Sequence, residues 1–240
     1  MYEPRTYRHW IKSDELVSFT VVMRETDLFI RAQSDLKQNA LDSVAKYRAE
    51  IERYVEKHPL FHAALEPYPV EDDASLIVKS MANAALVAGV GPMAAVAGAI
   101  AEYVGKDLLP LSAEVIVENG GDIYANIDKM RRIGIYAGGS PFTGKIALEI
   151  EPEDTPLGIC TSSGTVGHSL SFGSADAVLI LSRDTALADA VATAVGNTVK
   201  SASDINAGLK QVKKIEGLAG AVIIKDDKIG VWGNIKLVSL

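Results

Sequence analysis

Ala113-Glu114-Val115-Ile116-Val117-Glu118-Asn119-Gly120-Gly121-Asp122-Ile123-Tyr124-Ala125-Asn126-Ile127 reads as two apolar, β-rich runs joined by a pair of glycines. β-Branched residues fit a pleated surface, and adjacent glycines between Asn and Asp permit the left-handed angles of a tight turn. Residues 113–117 read as a short buried strand that runs into the glycine turn, and residues 123–127 continue it as a second strand.

The same pattern recurs on either side. Residues 17–24 and 28–32 flank Glu25-Thr26-Asp27, residues 133–137 and 145–150 flank a glycine-rich loop, and residues 221–225 and 229–232 flank Asp226-Asp227. Residues 157–160, 175–181 and 236–240 read as further strands. Helical periodicity marks 35–57, with Ser34 as N-cap, a stripe of Leu41, Val44, Ala45, Ile51 and Val55, and Arg48 at its edge. A second helix is expected over 74–87 with Leu76, Met81 and Leu86 inward, and a third after Pro92 through Met93, Val96, Ile100 and Val104. Asp184 caps a helix over 185–199, and Ser203 or Asp204 caps one over 205–216 that Gly217 stops. His58 and His62 read as surface or cap residues near the end of the first helix. Strands joined by hairpins and interspersed with helices make an α+β protein of antiparallel-rich mixed sheets with packed helices. No linker or fixed repeat divides it, so 1–240 is expected to form one domain, with the hairpin and long helix in 1–73 and a motif-bearing core in 74–240.

Composition narrows the function. The net charge is −7 and no Lys/Arg run offsets it, which argues against nucleic acid as a partner. The N-terminus is polar and lacks an apolar signal core, so the expected compartment is the cytoplasm. The uncharged stretch 80–101 has the length of a membrane span, but Gly89, Gly91 and Pro92 interrupt it, and no membrane partner is expected. Its small apolar residues could equally face a second copy of the chain. A single cysteine, Cys160, excludes a disulfide framework and a cysteine zinc site, and beside an apolar strand it reads as a small buried residue.

Several segments could carry chemistry. Asp189 and Thr193 lie four apart on one helix face, an oxygen pair suited to a hard cation such as Mg²⁺. Asn119-Gly120-Gly121-Asp122 combines a turn's free amides with an amide side chain and a carboxylate. Thr161-Ser162-Ser163-Gly164 offers hydroxyls for phosphate or ribose, and His168 just beyond it is available for hydrogen bonding or proton transfer. Each glycine-rich segment alone reads as an ordinary turn.

In order along the chain, these segments resemble the ApbE-type flavin transferases. Asn119 to Ile123 is similar to that family's Asn-x-Gly-Gly-Asp-Ile turn, 160–164 to its Ser-Thr-Ser-Gly loop, and Ala188-Asp189 through Thr193 to its Ala-Asp-x-x-x-Thr helix. Residues 93–102 are similar to its glycine-rich helix start, with Gly98 and the acid Glu102 retained. The resemblance implies an ApbE-like fold, Mg²⁺ on Asp189, Thr193 and a main-chain carbonyl at or near Ala94, and FAD or another nucleotide at Asn119, Gly120, Gly121, Asp122, Thr161, Ser162, Ser163 and Gly164. It gives Asp189 and His168 catalytic roles and implies FMN transfer to a protein acceptor. The family's Lys falls on Ala97, and the segment that follows its Thr/Ser loop is reduced to His168. The short cytoplasmic ApbE-related proteins of archaea and anaerobic bacteria are the most similar group. For that group the resemblance implies an alternative: a non-transferase role in anaerobic sulfur assimilation and homocysteine formation, with a sulfur metabolite as ligand. A non-catalytic ligand-binding protein is the remaining reading.

Overall fold

In the computed structural model, residues 15–164 and 173–240 are described. Eight strands form one antiparallel sheet in the order β1 (Val17–Met23), β2 (Thr26–Ala32), β3 (Val115–Asn119), β4 (Asp122–Asn126), β7 (Leu157–Ser162), β8 (Ala177–Ser182), β9 (Leu218–Lys225), β10 (Lys228–Gly233). Three more, β11 (Lys236–Ser239), β6 (Ile146–Ile150) and β5 (Arg131–Gly134), form a smaller antiparallel sheet. The helices are α1 (Lys37–Lys57), α2 (Pro59–Ala63), α3 (Leu76–Ala88), α4 (Val96–Leu108), α5 (Thr185–Thr198) and α6 (Ile205–Val212). The α+β expectation holds.

The large sheet is the middle of three layers. Val115, Val117, Val178 and Ile180 point from it into a core shared with α1, α3, α4 and α5. Their strand neighbours Ile116, Leu179 and Leu181 point the other way, onto Ile133, Leu148 and Ile150 of the small sheet. Burial on both faces is why these strands read as unbroken apolar runs rather than alternating ones.

The antiparallel registers gather several turns at one end of the large sheet. Leu28 pairs with Asn119, so the β1–β2 turn lies beside the β3–β4 turn. Ile123 pairs with Ile159, which brings Asp122 to the C-terminal end of β7.

Some local expectations are corrected. Ser34 does not cap α1; the Asp35 carboxylate accepts the N–H of Lys37 at 3.0 Å instead. The buried face of α1 is Ala40, Ser43, Val44, Tyr47, Ile51 and Tyr54, rotated from the predicted stripe because the tyrosines turn inward. Tyr47 packs edge-on against Tyr103 and donates to Asp107 at 2.9 Å. In α3, Met81 is buried, but Leu76 and Leu86 are 73% and 67% exposed. Ile77, Val78, Ala84 and Ala85 form the inner face with Met81, because small side chains let the helix approach its neighbours closely. The helix α6 ends at Val212, short of Gly217. His58 does act as the C-cap of α1 and stacks on Tyr54. Among the described residues no single helix is long and apolar enough to cross a membrane; the chain from α3 to α4 bends by 106° at the Gly-Pro break.

Candidate functional site

Helices α4 and α5 cap each other. Asp184 is the N-cap of α5 and accepts from the N–H of Leu187 at 2.9 Å. The first amide of α5, Thr185 N–H, donates to Glu102 of α4 at 2.7 Å. In return, Asp189 of α5 accepts the N–H of Gly98 in the first turn of α4 at 2.8 Å. Helix N-termini leave amides unpaired and favour negative charge, so each carboxylate stabilises the other helix by an interaction of the N-cap type. Gly98 makes this approach possible: a Cβ there would lie 2.5 Å from the Thr185 carbonyl oxygen and 2.8 Å from Asp189 Cβ.

The β3–β4 turn joins the same cluster. Gly120 and Gly121 have φ of +67° and +111°, which only glycine adopts without strain. The turn is braced by Gly121 N–H donating to Glu118 at 3.0 Å. Asn119 Nδ2 donates to the Ala97 carbonyl at 3.1 Å, fixing the turn to the start of α4. Asp122 accepts the N–H of Thr161 at 3.2 Å. Ser162 packs against Gly196, seven residues beyond Asp189 on α5. Asp189, Thr193 and Gly196 share a helix face, so Thr193, which is half-buried, faces the end of β7. The 3₁₀ turn holding Ala94 (Pro92–Ala95) also packs on α5. The structure thus brings together Asp189, Thr193, Asn119, Gly120, Gly121, Asp122, Thr161 and Ser162, with Ala94 one turn before α4.

One correction concerns the predicted loop, whereas the thiol is buried as expected. Thr161 and Ser162 belong to strand β7, because their pairing with Leu179 and Val178 continues to the end of β8. Only Ser163 and Gly164 form the loop, and both turn toward the Ala175 carbonyl. His168 lies outside the described residues. Cys160 is fully buried, and its thiol donates to the Thr185 carbonyl at 3.4 Å. Burial first, and then the charges of Asp122 and Asp189, push that thiol well above its usual range. It is therefore neither accessible nor ionised as a sulfur carrier would need to be.

The electrostatics are set by burial. Loss of solvent pushes the Asp122 carboxyl up to about 7; Glu118 adds to this, while the Cys160 thiol and the Thr161 amide pull it back. Burial also pushes Asp189 well above the carboxylate range, Asp122 pushes it further, and the amides of Gly98 and Ala97 oppose them. No Lys or Arg among the described residues offsets either carboxylate. A cation would relieve both. No group of three or more His, Cys, Asp or Glu among the described residues could hold a metal, so a cation here would depend on mixed oxygen donors. Carboxylates, a threonine hydroxyl and main-chain carbonyls suit Mg²⁺ in kind.

A cleft of about 530 Å³ opens beside the cluster and shares Ala97 and Asn119 with it. Sequence reading missed it because its walls come from the β1–β2 turn, α1 and the start of α4, segments far apart in the chain. The nearest signal was the run of Met93, Val96 and Ile100 at helical spacing, which read only as core.

The family model described as AbpE bacteria matches residues 8–229. A UPF0280 protein of Methanocella arvoryzae is 42% identical over 214 residues, covering 89% of this chain and 87% of that one. A second, from Methanocaldococcus jannaschii, is 41% identical over 221 residues, covering 90% of each chain. In structure, the chain is similar to the flavinyl transferase ApbE of Pseudomonas stutzeri, with a TM-score of 0.61 at 13% identity over 93% of this chain and 94% of that one. The ApbE protein of Thermotoga maritima gives a TM-score of 0.60 at 13% identity, over 90% and 96% of the two chains. At that identity the likeness is one of fold. The family model, which matches most of the chain, places it in the AbpE bacteria family, and its α+β fold is ApbE-like.

Proposed function

We propose that the protein binds FAD or a related nucleotide together with Mg²⁺. The observation that carries this reading is the meeting of Asp189 and Asp122, two buried carboxylates with no cationic side chain beside them among the described residues, next to glycine-rich backbone and an open cleft. Asp189 and Thr193 would hold the ion, with a carbonyl at or near Ala94. When bound, Mg²⁺ supplies positive charge to phosphate oxygens. The chain's own residues do the rest. Asn119 keeps the start of α4 fixed to the turn. The turn at Gly120 and Gly121 would let a ligand approach the main chain closely, and Ser162, which packs against Gly196 of α5, would offer its hydroxyl to a ribose or phosphate; Thr161 and Ser163 belong to the proposed set through the family resemblance. His168, in the adjoining segment, is the candidate proton donor. The family resemblance and the fold shared with flavin transferases support this ligand class.

Nucleotide binding is the primary reading. FMN transfer to a protein acceptor is the further step that the ApbE likeness supports. Ala97, where the transferases carry Lys, favours binding without transfer. A sulfur-assimilation role that uses Cys160 as carrier is disfavoured by the burial of that thiol.

Calorimetry of FAD with and without Mg²⁺, on the wild type and on Asp189→Asn, tests the proposal. Mg²⁺-dependent FAD binding is expected in the wild type and its loss in the variant. Equal affinity in both proteins rejects the site.

A further inference from the structure

The large sheet ends at β1 and β10, and the small sheet ends at β11 and β5. An edge strand presents unpaired N–H and C=O groups to other chains, and native proteins block such edges with charge, proline or a bulge. Three of these edges carry charge: β10 opens on Lys228, β11 on Lys236, and β5 holds Arg132. The fourth does not. Val17-Ser18-Phe19-Thr20-Val21-Val22-Met23 has no charged residue and no proline, and it pairs with β2 without a register shift. Among the described residues β2 is the only strand beside it. An uncharged, β-branched edge of this kind is a template for strand addition.

The geometry of β1 selects the strand that fits. Met23 and Thr26 close a two-residue turn, and hydrogen-bonded pairs alternate along the ladder from there. The backbone groups of Ser18, Thr20 and Val22 therefore face away from β2. Their side chains are exposed, whereas Phe19 and Val21 between them are buried in the core that α1 shares. A second β1, antiparallel about a twofold axis at Thr20, sets Thr20 against Thr20, Ser18 against Val22 and Phe19 against Val21. Core face continues into core face, and no charge is buried between the strands. The ends of the strand fit the same arrangement. The Arg24 side chain, just past Met23, is 67% exposed; that of Glu15, just before the strand, is 62% exposed and pairs with Lys129 at 2.5 Å. The twofold brings the Arg24-Glu25 turn of each copy to Glu15 and Lys129 of the other, so acid meets base at both ends. A parallel pairing would set Arg24 on Arg24 and Glu15 on Glu15.

We propose that β1 is a docking strand for a second copy of this chain, the two joining edge to edge about Thr20 into one continuous antiparallel sheet. Each copy uses the same strand, so the contact closes at two and leaves no free β1 edge.

Sedimentation equilibrium of the full chain tests this, and a dimer is expected. Thr20→Lys sets like charges against each other on the axis, and Thr20→Pro removes an N–H donated across it. Each should raise the dimer dissociation constant at least tenfold while circular dichroism stays native. The Lys variant, at an exposed position, keeps the test open if Pro disturbs the strand. Val231→Lys, which adds the same charge to the β10 edge, should dimerise as the wild type does. A monomeric wild type overturns the proposal, and so does a dimer that persists in folded Thr20→Lys. Loss of the dimer in folded Val231→Lys but not in Thr20→Lys would put the contact on the opposite edge and overturn it as well.

Discussion

The carboxylate of Asp189 accepts the backbone N–H of Gly98 at 2.8 Å although the two residues lie 91 positions apart in sequence. This bond closes the contact between α4 and α5 at the point where both approach the glycine turn. It gives Asp189 a structural role in addition to its proposed one. Asp189→Ala should therefore lower stability by about 1–3 kcal/mol through an unpaired buried amide, whereas Asp189→Asn retains an acceptor and should cost less. Urea denaturation of both variants checks the ordering.

Gly98→Ala should be worse than either. The added methyl meets the Thr185 carbonyl oxygen at 2.5 Å, and a backbone atom cannot swing away. A loss of about 2–3 kcal/mol is expected from the forced separation of the helices. It would be read as a lower urea midpoint at unchanged m-value, and a variant as stable as the wild type would contradict the close approach.

Asp122 should make stability depend on pH in the direction opposite to an ordinary salt-bridged acid. Its carboxyl titrates near 3.8 when unfolded and is pushed up to about 7 by burial in the fold. Between those values the native state holds more protons than the unfolded state, so stability falls as pH rises. The full contribution is present below about pH 4, is lost progressively toward pH 7, and stays lost above that. Asp122→Asn should flatten the decline in a series of thermal melts from pH 4 to pH 8. A parallel slope in the variant would show that the carboxyl does not titrate there.

Cys160 should be inert in the native protein. Its thiol is buried, protonated and bonded to Thr185. Iodoacetamide or a disulfide reagent at pH 8 should label nothing until denaturant is added, and then label the single thiol. Rapid native labelling would reopen the sulfur-carrier reading.

The Glu114–Arg131 pair should prove costly to break. Arg131 contacts Glu114 through Nε at 2.5 Å and Nη2 at 2.8 Å, and the side chains are 9% and 2% exposed. Burial pushes the Glu114 carboxyl up while the guanidinium pulls it back. Glu114→Ala strands a buried cation beside the small sheet, and a loss of about 3–5 kcal/mol is expected. Thermal denaturation would detect it; a loss under about 1 kcal/mol would mean that the arginine finds water.

The strands and hairpins were legible because the signals that define them are local. The turn at Gly120-Gly121 reads directly from its two glycines, and β7 and β8 from apolar runs. Orientation was less legible. With both faces of the large sheet buried, alternation does not say whether Ile116 or Val117 meets the helices. In α3, Leu76 looks like core by type, yet alanines occupy the inner face because they allow closer packing. The Asp189–Thr193 pair was visible from its spacing. The Gly98 amide that Asp189 holds, the Asn119–Ala97 bond and the cleft were not, since each depends on segments that only the folded register brings together.

The central strands of the eight-stranded sheet have no bare side, being covered by helices on one face and by the small sheet on the other. The β1–β2 and β3–β4 turns and the end of β7 come together at one rim of the sheet, outside those covered faces. Proteins of this design can diversify their chemistry by exchanging short turns at that rim while the sealed layers beneath stay as they are.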